Sequence, residues 1–345
     1  SAAVRLAANG ISDVTHFIPC HLGLAKTPRE FSIGSVRFEQ TELALARLEP
    51  ALSAYIEQEL DDGDGGRKVR ATSLVNDTQK YYASFDWIAE ICITGCDRST
   101  SKKRAERIVQ SALDCLHLLI GAGYSNHMRV GGPGFSTDRR GKIEVKPNGR
   151  VEISTSVDWL SHPVGDGWWE GLTENGRDEF IQLMGVALDV GHGLPRPAPM
   201  AQRFLDGVAW FGEAARDPFH ASRLIKFVTA IERILTTKNE TNLSETLAAR
   251  GAAMASMFES GRLVSLRQNF KEVYNLRSLL VHGARSALEP GLGRGVRDAE
   301  RLTRLVLFGA LQFYGETGLQ AKDVSLRKHD SWFEDLLKWA ERGLE

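Results

Sequence analysis

Apolar residues recur at intervals of three and four along the second half of the chain, and this spacing predicts helices there. The clearest stripe follows Asp217 and Pro218, two residues typical of a helix start. Its apolar positions are Leu224, Phe227, Val228, Ile231, Ile234 and Leu235. Comparable stripes lie at 204–211, 244–258, 263–281, 296–315 and 331–340. Six helices with short connections predict a helical bundle.

The first half of the chain combines strand and helix patterns. Residues 31–38 alternate between apolar and polar in the manner of a strand, and helical spacing follows over 82–94 and 101–120. The second of these helices has Ser99, Thr100 and Ser101 as candidate caps. Short apolar runs at 143–145 and 151–153 flank Pro147-Asn148-Gly149, which predicts a hairpin. The predicted fold class is α+β, with a mixed α+β domain followed by an all-α bundle.

A proline-rich segment separates these two patterns. Residues 194–199 read Leu-Pro-Arg-Pro-Ala-Pro, and each proline fixes its own φ angle and restricts the residue before it. Such a segment is typical of a stiff, extended linker. We therefore predict a first domain over 1–193, a linker over 194–199 and a helical domain over 200–345.

Composition narrows the classes of function. With 43 basic and 44 acidic residues the net charge is -1, so any contact with nucleic acid must use a local basic surface. Four cysteines among 345 residues are too few for a disulfide framework, and none stands in a paired zinc-binding motif. No apolar run reaches the roughly 18 residues of a membrane span. We expect a cytoplasmic protein with no membrane contact, no metal and no cofactor.

Arg277 stands out on the helix predicted over 263–281. At 3.6 residues per turn, one apolar stripe of this helix contains Leu266, Phe270, Val273, Leu280 and Val281. Arg277 falls in the middle of that stripe, where a charge is costly unless it is paired. One interpretation is a core arginine in an ion pair. The other is that this face of the helix binds a ligand or a partner.

His282 follows five residues after Arg277 and immediately precedes Gly283, which is typical of a helix stop. A histidine can accept and donate a proton near neutral pH, as acid–base catalysis requires. On a regular helix, however, Arg277 and His282 point about 140° apart. They can share a substrate only if the helix ends or bends between them, or if two chains combine their residues.

The segment that carries these two residues resembles the signature of HEPN domains, in particular the ApeA-like branch. It reads Tyr-Asn-Leu-Arg-Ser-Leu-Leu-Val-His-Gly over 274–283, with an arginine, a polar residue after it and a histidine further on. The upstream elements agree as well, at Trp210-Phe211, at 229–235 and at 247–250. The resemblance covers about 200–342 and does not extend into the first half.

The resemblance implies a homodimer whose signature helices meet at a cleft and cleave RNA without metal, in a defence or toxin system. The ribose 2′-hydroxyl attacks the neighbouring phosphate and leaves a 2′,3′-cyclic phosphate. Arg277 would bind the phosphate and His282 would serve as general acid or base. Ser278 would orient His282 or the phosphate, and Tyr274 and Asn275 would line the cleft.

Glu232 and a row of arginines are further candidates near this site. Glu232 could pair with Arg277, as part of the site or as an ordinary structural salt bridge. The arginines follow one side of the next helix, where they could track an RNA backbone or form a solvated face. They are Arg294, Arg297, Arg301 and Arg304.

Two other functions remain open for the helical domain. It could be a catalytically silent HEPN module that binds RNA or a protein partner, or Arg277 and His282 could be structural residues of a dimer interface. For the first domain we expect a role as sensor, regulator or substrate selector.

Overall fold

The computed structural model describes residues 11–23, 25, 27–58, 65–131, 139–145, 151–157, 164–174, 177–237, 242–289 and 291–342. The chain is α+β, with a small sheet in its first part and a helical bundle in its second. It divides into two compact units. The first comprises Ser1–Ser32, Val36–Gln110 and His127–Gly171, and the second Ile33–Ser35, Ser111–Asn126 and Leu172–Glu345.

A five-stranded sheet forms the centre of the first part, counted over the residues described. Its strands are β1 (Ile11–His21), β2 (Glu30–Ile33), β3 (Val36–Gln40), β4 (Trp87–Asp97) and β5 (Arg129–Val130). They lie in the order β2-β3-β4-β1-β5. β4 pairs antiparallel with β1 and with β3, and Ala89 stands opposite both Ile18 and Phe38. These three side chains are buried, so the centre of the sheet is also its hydrophobic core.

Helices and a separate hairpin accompany this sheet. The helices are α1 (Thr41–Gln58), α2 (Gly65–Tyr82), α3 (Arg98–Ile120), α4 (Ala122–Ser125) and α5 (Trp168–Thr173). The hairpin consists of β6 (Arg139–Val145) and β7 (Val151–Val157), and Val145 stands opposite Val151. The predicted hairpin is thus confirmed in its strands, while its proposed turn at 147–149 lies outside the described residues.

Two predictions for the first half are wrong. The stretch 82–94 is not a helix, because α2 ends at Tyr82 and β4 begins at Trp87. β4 is rich in isoleucine and pairs on both sides, and these long-range partners override its local helical spacing. The cap of α3 is Asp97, whose Oδ1 accepts the N–H groups of Ser99 and Thr100 at 3.0 and 3.1 Å. Hydrogen bonds from Thr100 and Ser99 lower the pKa of Asp97.

The predicted strand over 31–38 is interrupted. β2 ends at Ile33 and β3 begins at Val36, with a turn between them. Gly34 in this turn has φ +55°, a left-handed conformation that glycine adopts at little cost. The alternation therefore continues across two strands rather than along one.

The six predicted helices of the second half are confirmed, and one helix that we did not predict precedes them. This additional helix is α6 (Asp178–Gly191). The predicted ones are α7 (Pro199–Arg216), α8 (His220–Leu235), α9 (Leu243–Ala255), α10 (Leu263–Val281), α11 (Leu292–Gln320) and α12 (Leu326–Arg342). A kink divides α11 at Gly315, where φ is +57° and ψ is -179°. Of the helices in the ranges described, none is long and apolar enough to cross a membrane.

α8 lies at the centre of this bundle. Its predicted apolar stripe is buried from Leu224 to Leu235, and it packs against α7 and α11. Burial of each large apolar side chain stabilises the fold by roughly 1.5–3 kcal/mol relative to exposure. Arg203 of α7 donates through Nη1 to the main-chain oxygens of Arg233 and Thr236, at 2.6 and 2.5 Å. The C-terminal end of α8 is therefore held by a buried guanidinium.

The proline-rich segment joins α6 to α7 inside the second unit. Its Leu194–Pro195 peptide bond is cis, and the Ala198 N–H donates to the main-chain oxygen of Val190 at 3.1 Å. α7 begins at Pro199. The division into units instead falls at Leu172 and gives residues 111–126 to the second unit. The domain boundary at 194–199 stays a prediction.

Candidate functional site

The C-terminal turns of α10 lie at the surface. Buried residues anchor its first three turns, and Val273 is the last of them. Beyond it Leu276 and Leu280 are only half-buried, and Val281 is 48% exposed. The apolar stripe of this helix is thus buried at Leu266, Phe270 and Val273 but not at Leu280 and Val281. Its last turns present apolar groups that no part of the described chain buries.

Gly283 ends α10, as its position in the sequence predicts. Its φ is +71°, and its N–H donates to the main-chain oxygen of Leu280 at 3.2 Å. The N–H of His282 donates to the oxygen of Ser278 at 3.0 Å, and that of Arg285 to the oxygen of Leu279 at 3.1 Å. These bonds satisfy carbonyl groups that a helix end leaves open. His282 consequently occupies the C-cap position.

Arg277 faces α8, where Glu232 is its nearest charged partner. The distance from Arg277 Nη2 to Glu232 Oε2 is 3.4 Å, and the two side chains are 22% and 18% exposed. The Arg277 guanidinium carbon also lies 5.9 Å from the centre of the Tyr274 ring. Arg277 Nε and Glu232 Oε1 are buried without a hydrogen-bond partner in the described part of the chain. Arg277 and Glu232 therefore form an ion pair that leaves one buried donor and one buried acceptor unsatisfied.

Burial dominates the electrostatics of this cluster. It raises the pKa of Glu232, and the positive charge of Arg277 offsets that effect only in part. Burial also raises the pKa of Tyr274, with the negative charge of Glu232 acting in the same direction. The Tyr274 phenol is therefore a neutral group, able to donate a hydrogen bond beside Arg277.

His282 is exposed, and neither a hydrogen bond nor an ion pair joins it to Arg277, both residues being within the described chain. α10 is regular up to Val281, so the two side chains leave the helix about 140° apart. Asn275 is exposed and Ser278 half-buried, and among the described residues neither side chain has a hydrogen-bond partner. One chain therefore places Arg277 against its own core and His282 in solvent.

The four arginines of α11 divide into two kinds. Arg294 is 88% exposed and 3.9 Å from Asp298, and Arg297 is exposed with no ion pair to any described residue. Arg301 donates to Glu259 Oε1 at 2.6 Å. Arg304 donates to the main-chain oxygens of 118 and 119, at 3.2 and 3.0 Å. Only the first two are available to a ligand, and the partners of the others lie too far along the chain to be predicted.

Sequence reasoning missed a polar cavity beside α10. It has a volume of about 380 Å³ and lies between α10 and the start of α11. Leu276, Arg285 and Arg294 contribute to its wall together with Glu272 and Asp298, whereas Arg277 and His282 do not. The loop between the two helices brings these residues together, and its conformation has no periodic signal in the sequence.

The search for metal ligands and the comparisons with known proteins were both negative, the first over the described residues. Among the described residues, no three His, Cys, Asp or Glu side chains are grouped so that they could hold a metal ion. Comparison with protein-family models, with curated proteins and with solved structures finds no significant match to this chain.

Proposed function

We propose that this chain is a metal-independent endoribonuclease of the HEPN type. It cleaves RNA by attack of a ribose 2′-hydroxyl on the adjacent phosphorus, and the products are a 2′,3′-cyclic phosphate and a 5′-hydroxyl. The observation that carries the proposal is the end of α10, where half-buried Arg277 and exposed His282 lie within two turns of each other, next to apolar side chains that stay exposed. The resemblance of 274–283 to the HEPN signature supplies the type of reaction.

Each residue has a chemical role in this proposal. Arg277 binds the phosphate through its planar set of donors and stabilises the charge that develops on the phosphate oxygens. His282 exchanges protons with the attacking and leaving oxygens, for which its exposed position is suited. Ser278 and Asn275 are available as hydrogen-bonding groups beside them, and Tyr274 contacts the guanidinium.

Homodimerisation is part of the proposal, because one chain does not bring Arg277 and His282 together. A two-fold axis near the end of α10 would set Arg277 of one chain beside the partner's His282. Exposed apolar side chains support contact at this end: Val281 is 48% exposed and Leu288, in the following loop, is 92% exposed. A second copy would remove this surface from water.

The test is cleavage of a labelled RNA by the purified protein in the presence of EDTA. We expect the wild type to yield cyclic-phosphate ends, and His282→Ala and Arg277→Ala to be slower by about 100-fold or more. His220→Ala and Arg327→Ala are matched controls, because both side chains are exposed and neither belongs to the proposed site. Equal cleavage by all five proteins would show that the activity does not belong to this site.

A catalytically silent module that binds RNA or a protein is the second candidate. The contact between Glu232 and Arg277 favours it, since an arginine already paired within its own chain can be structural. This function predicts RNA binding without cleavage, and loss of that binding in the Arg294→Ala/Arg297→Ala double variant. The endoribonuclease proposal also includes a role in a defence or toxin system. In it the first domain acts as sensor, regulator or substrate selector.

A further inference from the structure

The contact between Arg277 and Glu232 is longer than two other arginine–carboxylate pairs of the second unit and uses fewer hydrogen bonds. Arg233 binds Asp206 through two nitrogens at 2.9 and 2.6 Å, and Arg285 binds both oxygens of Glu289 at 2.9 Å. Arg277 instead reaches Glu232 through one nitrogen at 3.4 Å. A structural arginine–carboxylate pair is usually short and often two-pronged. The Arg277 guanidinium therefore retains donors that Glu232 does not use, among them Nε.

The backbone that carries Glu232 is held by several hydrogen bonds at the end of α8. Its main-chain oxygen accepts the N–H of Thr236 at 3.0 Å and the hydroxyl of the same residue at 2.8 Å. Arg203 donates to the carbonyls of Arg233 and Thr236, and Arg250 donates to that of Leu235 at 2.7 Å. The fixed backbone therefore keeps the Glu232 side chain within reach of Arg277.

A negative charge in this position opposes the binding of a phosphate. An RNA phosphate that approaches the Arg277 guanidinium must share it with Glu232 or displace that carboxylate. We propose that Glu232 is a resident counter-ion of Arg277 that limits the affinity of this site for RNA phosphate. This inference rests on the proposed function insofar as Arg277 is the phosphate-binding residue.

The experiment measures binding without cleavage. The probe is a fluorescent oligoribonucleotide with 2′-O-methyl riboses, which lacks the attacking hydroxyl, and the readout is fluorescence anisotropy at constant salt. We expect Glu232→Gln to bind this probe about fivefold more tightly than the wild type, because the opposing charge is gone. Glu245→Gln is the matched control, since it removes the same charge from a carboxylate that pairs with Lys271 of α10 at 2.6 Å. We expect it to leave the affinity unchanged.

A double-variant cycle ties the effect to Arg277. With Arg277→Gln already present, Glu232→Gln should change the affinity no further. Glu232→Asp keeps the charge but withdraws it from a contact that is already long, and it should give an intermediate gain. This second variant keeps the inference testable if Glu232→Gln does not fold.

The possible failures are distinguishable. If Glu232→Gln or Glu232→Asp weakens binding or leaves it unchanged while Arg277→Gln weakens it, Glu232 is a positioning residue and the inference is wrong. If Arg277→Gln does not affect binding, the proposed function fails first. An equal gain from Glu245→Gln would show a general effect of net charge, which would also overturn the inference.

Discussion

His329 is fully buried in the second unit, and we predict that it makes the stability of this unit depend on pH. Its Nε2 lies 3.1 Å from the Tyr314 hydroxyl oxygen, and its Nδ1 is buried with no partner among the described residues. Burial lowers the pKa of His329 to about 4, and the positive charge of Arg203 acts in the same direction. The imidazole is therefore neutral in the folded protein at any pH well above 4.

The magnitude follows from the difference between the folded and unfolded chain. In the unfolded chain the pKa is the ordinary 6.5, so between pH 6.5 and about 4 the unfolded state binds more protons than the folded one. The contribution of neutral His329 to the free energy of unfolding is thus fully present above pH 6.5 and is lost as the pH falls toward 4. At about 1.36 kcal/mol for each pKa unit, the whole loss is about 3 kcal/mol. About 2 kcal/mol of it falls between pH 7 and pH 5.

The assay is urea unfolding at pH 7, 6 and 5, followed by tryptophan fluorescence. Trp332 is a suitable reporter, because its ring centre lies 6.1 Å from that of His329. We expect His329→Gln to lose stability less steeply than the wild type as the pH falls, whatever its stability at pH 7. His220→Gln, which changes an exposed histidine, should keep the wild-type slope. Identical slopes for the wild type and His329→Gln would refute the reasoning.

Two further substitutions test the packing of the second unit, both by urea unfolding. Gly212→Ala would force a methyl group into the buried carboxylate of Asp114, and we expect a loss of about 2 kcal/mol or more; wild-type stability would mean that α7 packs differently. Arg304→Ala removes two hydrogen bonds to the main-chain oxygens of 118 and 119, and we expect a loss of about 2 kcal/mol. A loss below about 0.5 kcal/mol would place Arg304 among the solvated arginines.

The helices of the second half could be predicted because their signal is local. A stripe such as that of α8 needs only the chain's own spacing of apolar residues, and the bounds predicted for α10 agree with the structure. The stretch 82–94 could not be predicted in this way. Its apolar residues fit a helix, but β4 pairs with β1 and β3, and the partner Ile18 is 71 residues away from Ala89. Pairing over such distances is invisible to a local pattern.

In the candidate site, too, features with a local signal could be predicted and features that depend on distant residues could not. Arg277 was identified because a charge on an apolar stripe requires an explanation, and Gly283 because a helix stop has a recognisable residue type. Whether the apolar face at Leu280 and Val281 is buried or exposed stayed open, since it depends on where the neighbouring helices end. The roles of Arg301 and Arg304 were likewise hidden, because their partners come from distant segments.

The separation of Arg277 and His282 around one helix leads to a last prediction. If each site combines Arg277 of one chain with the partner's His282, a mixed dimer of Arg277→Ala and His282→Ala chains contains one intact site and one doubly defective site. Equal mixing gives mixed dimers in half of the population, so about a quarter of the wild-type activity should return. The measurement is RNA cleavage after the two inactive variants are mixed and allowed to exchange subunits. If each chain forms its own site, every site in the mixture lacks one residue and no activity returns, because mixing cannot repair a pair within one chain.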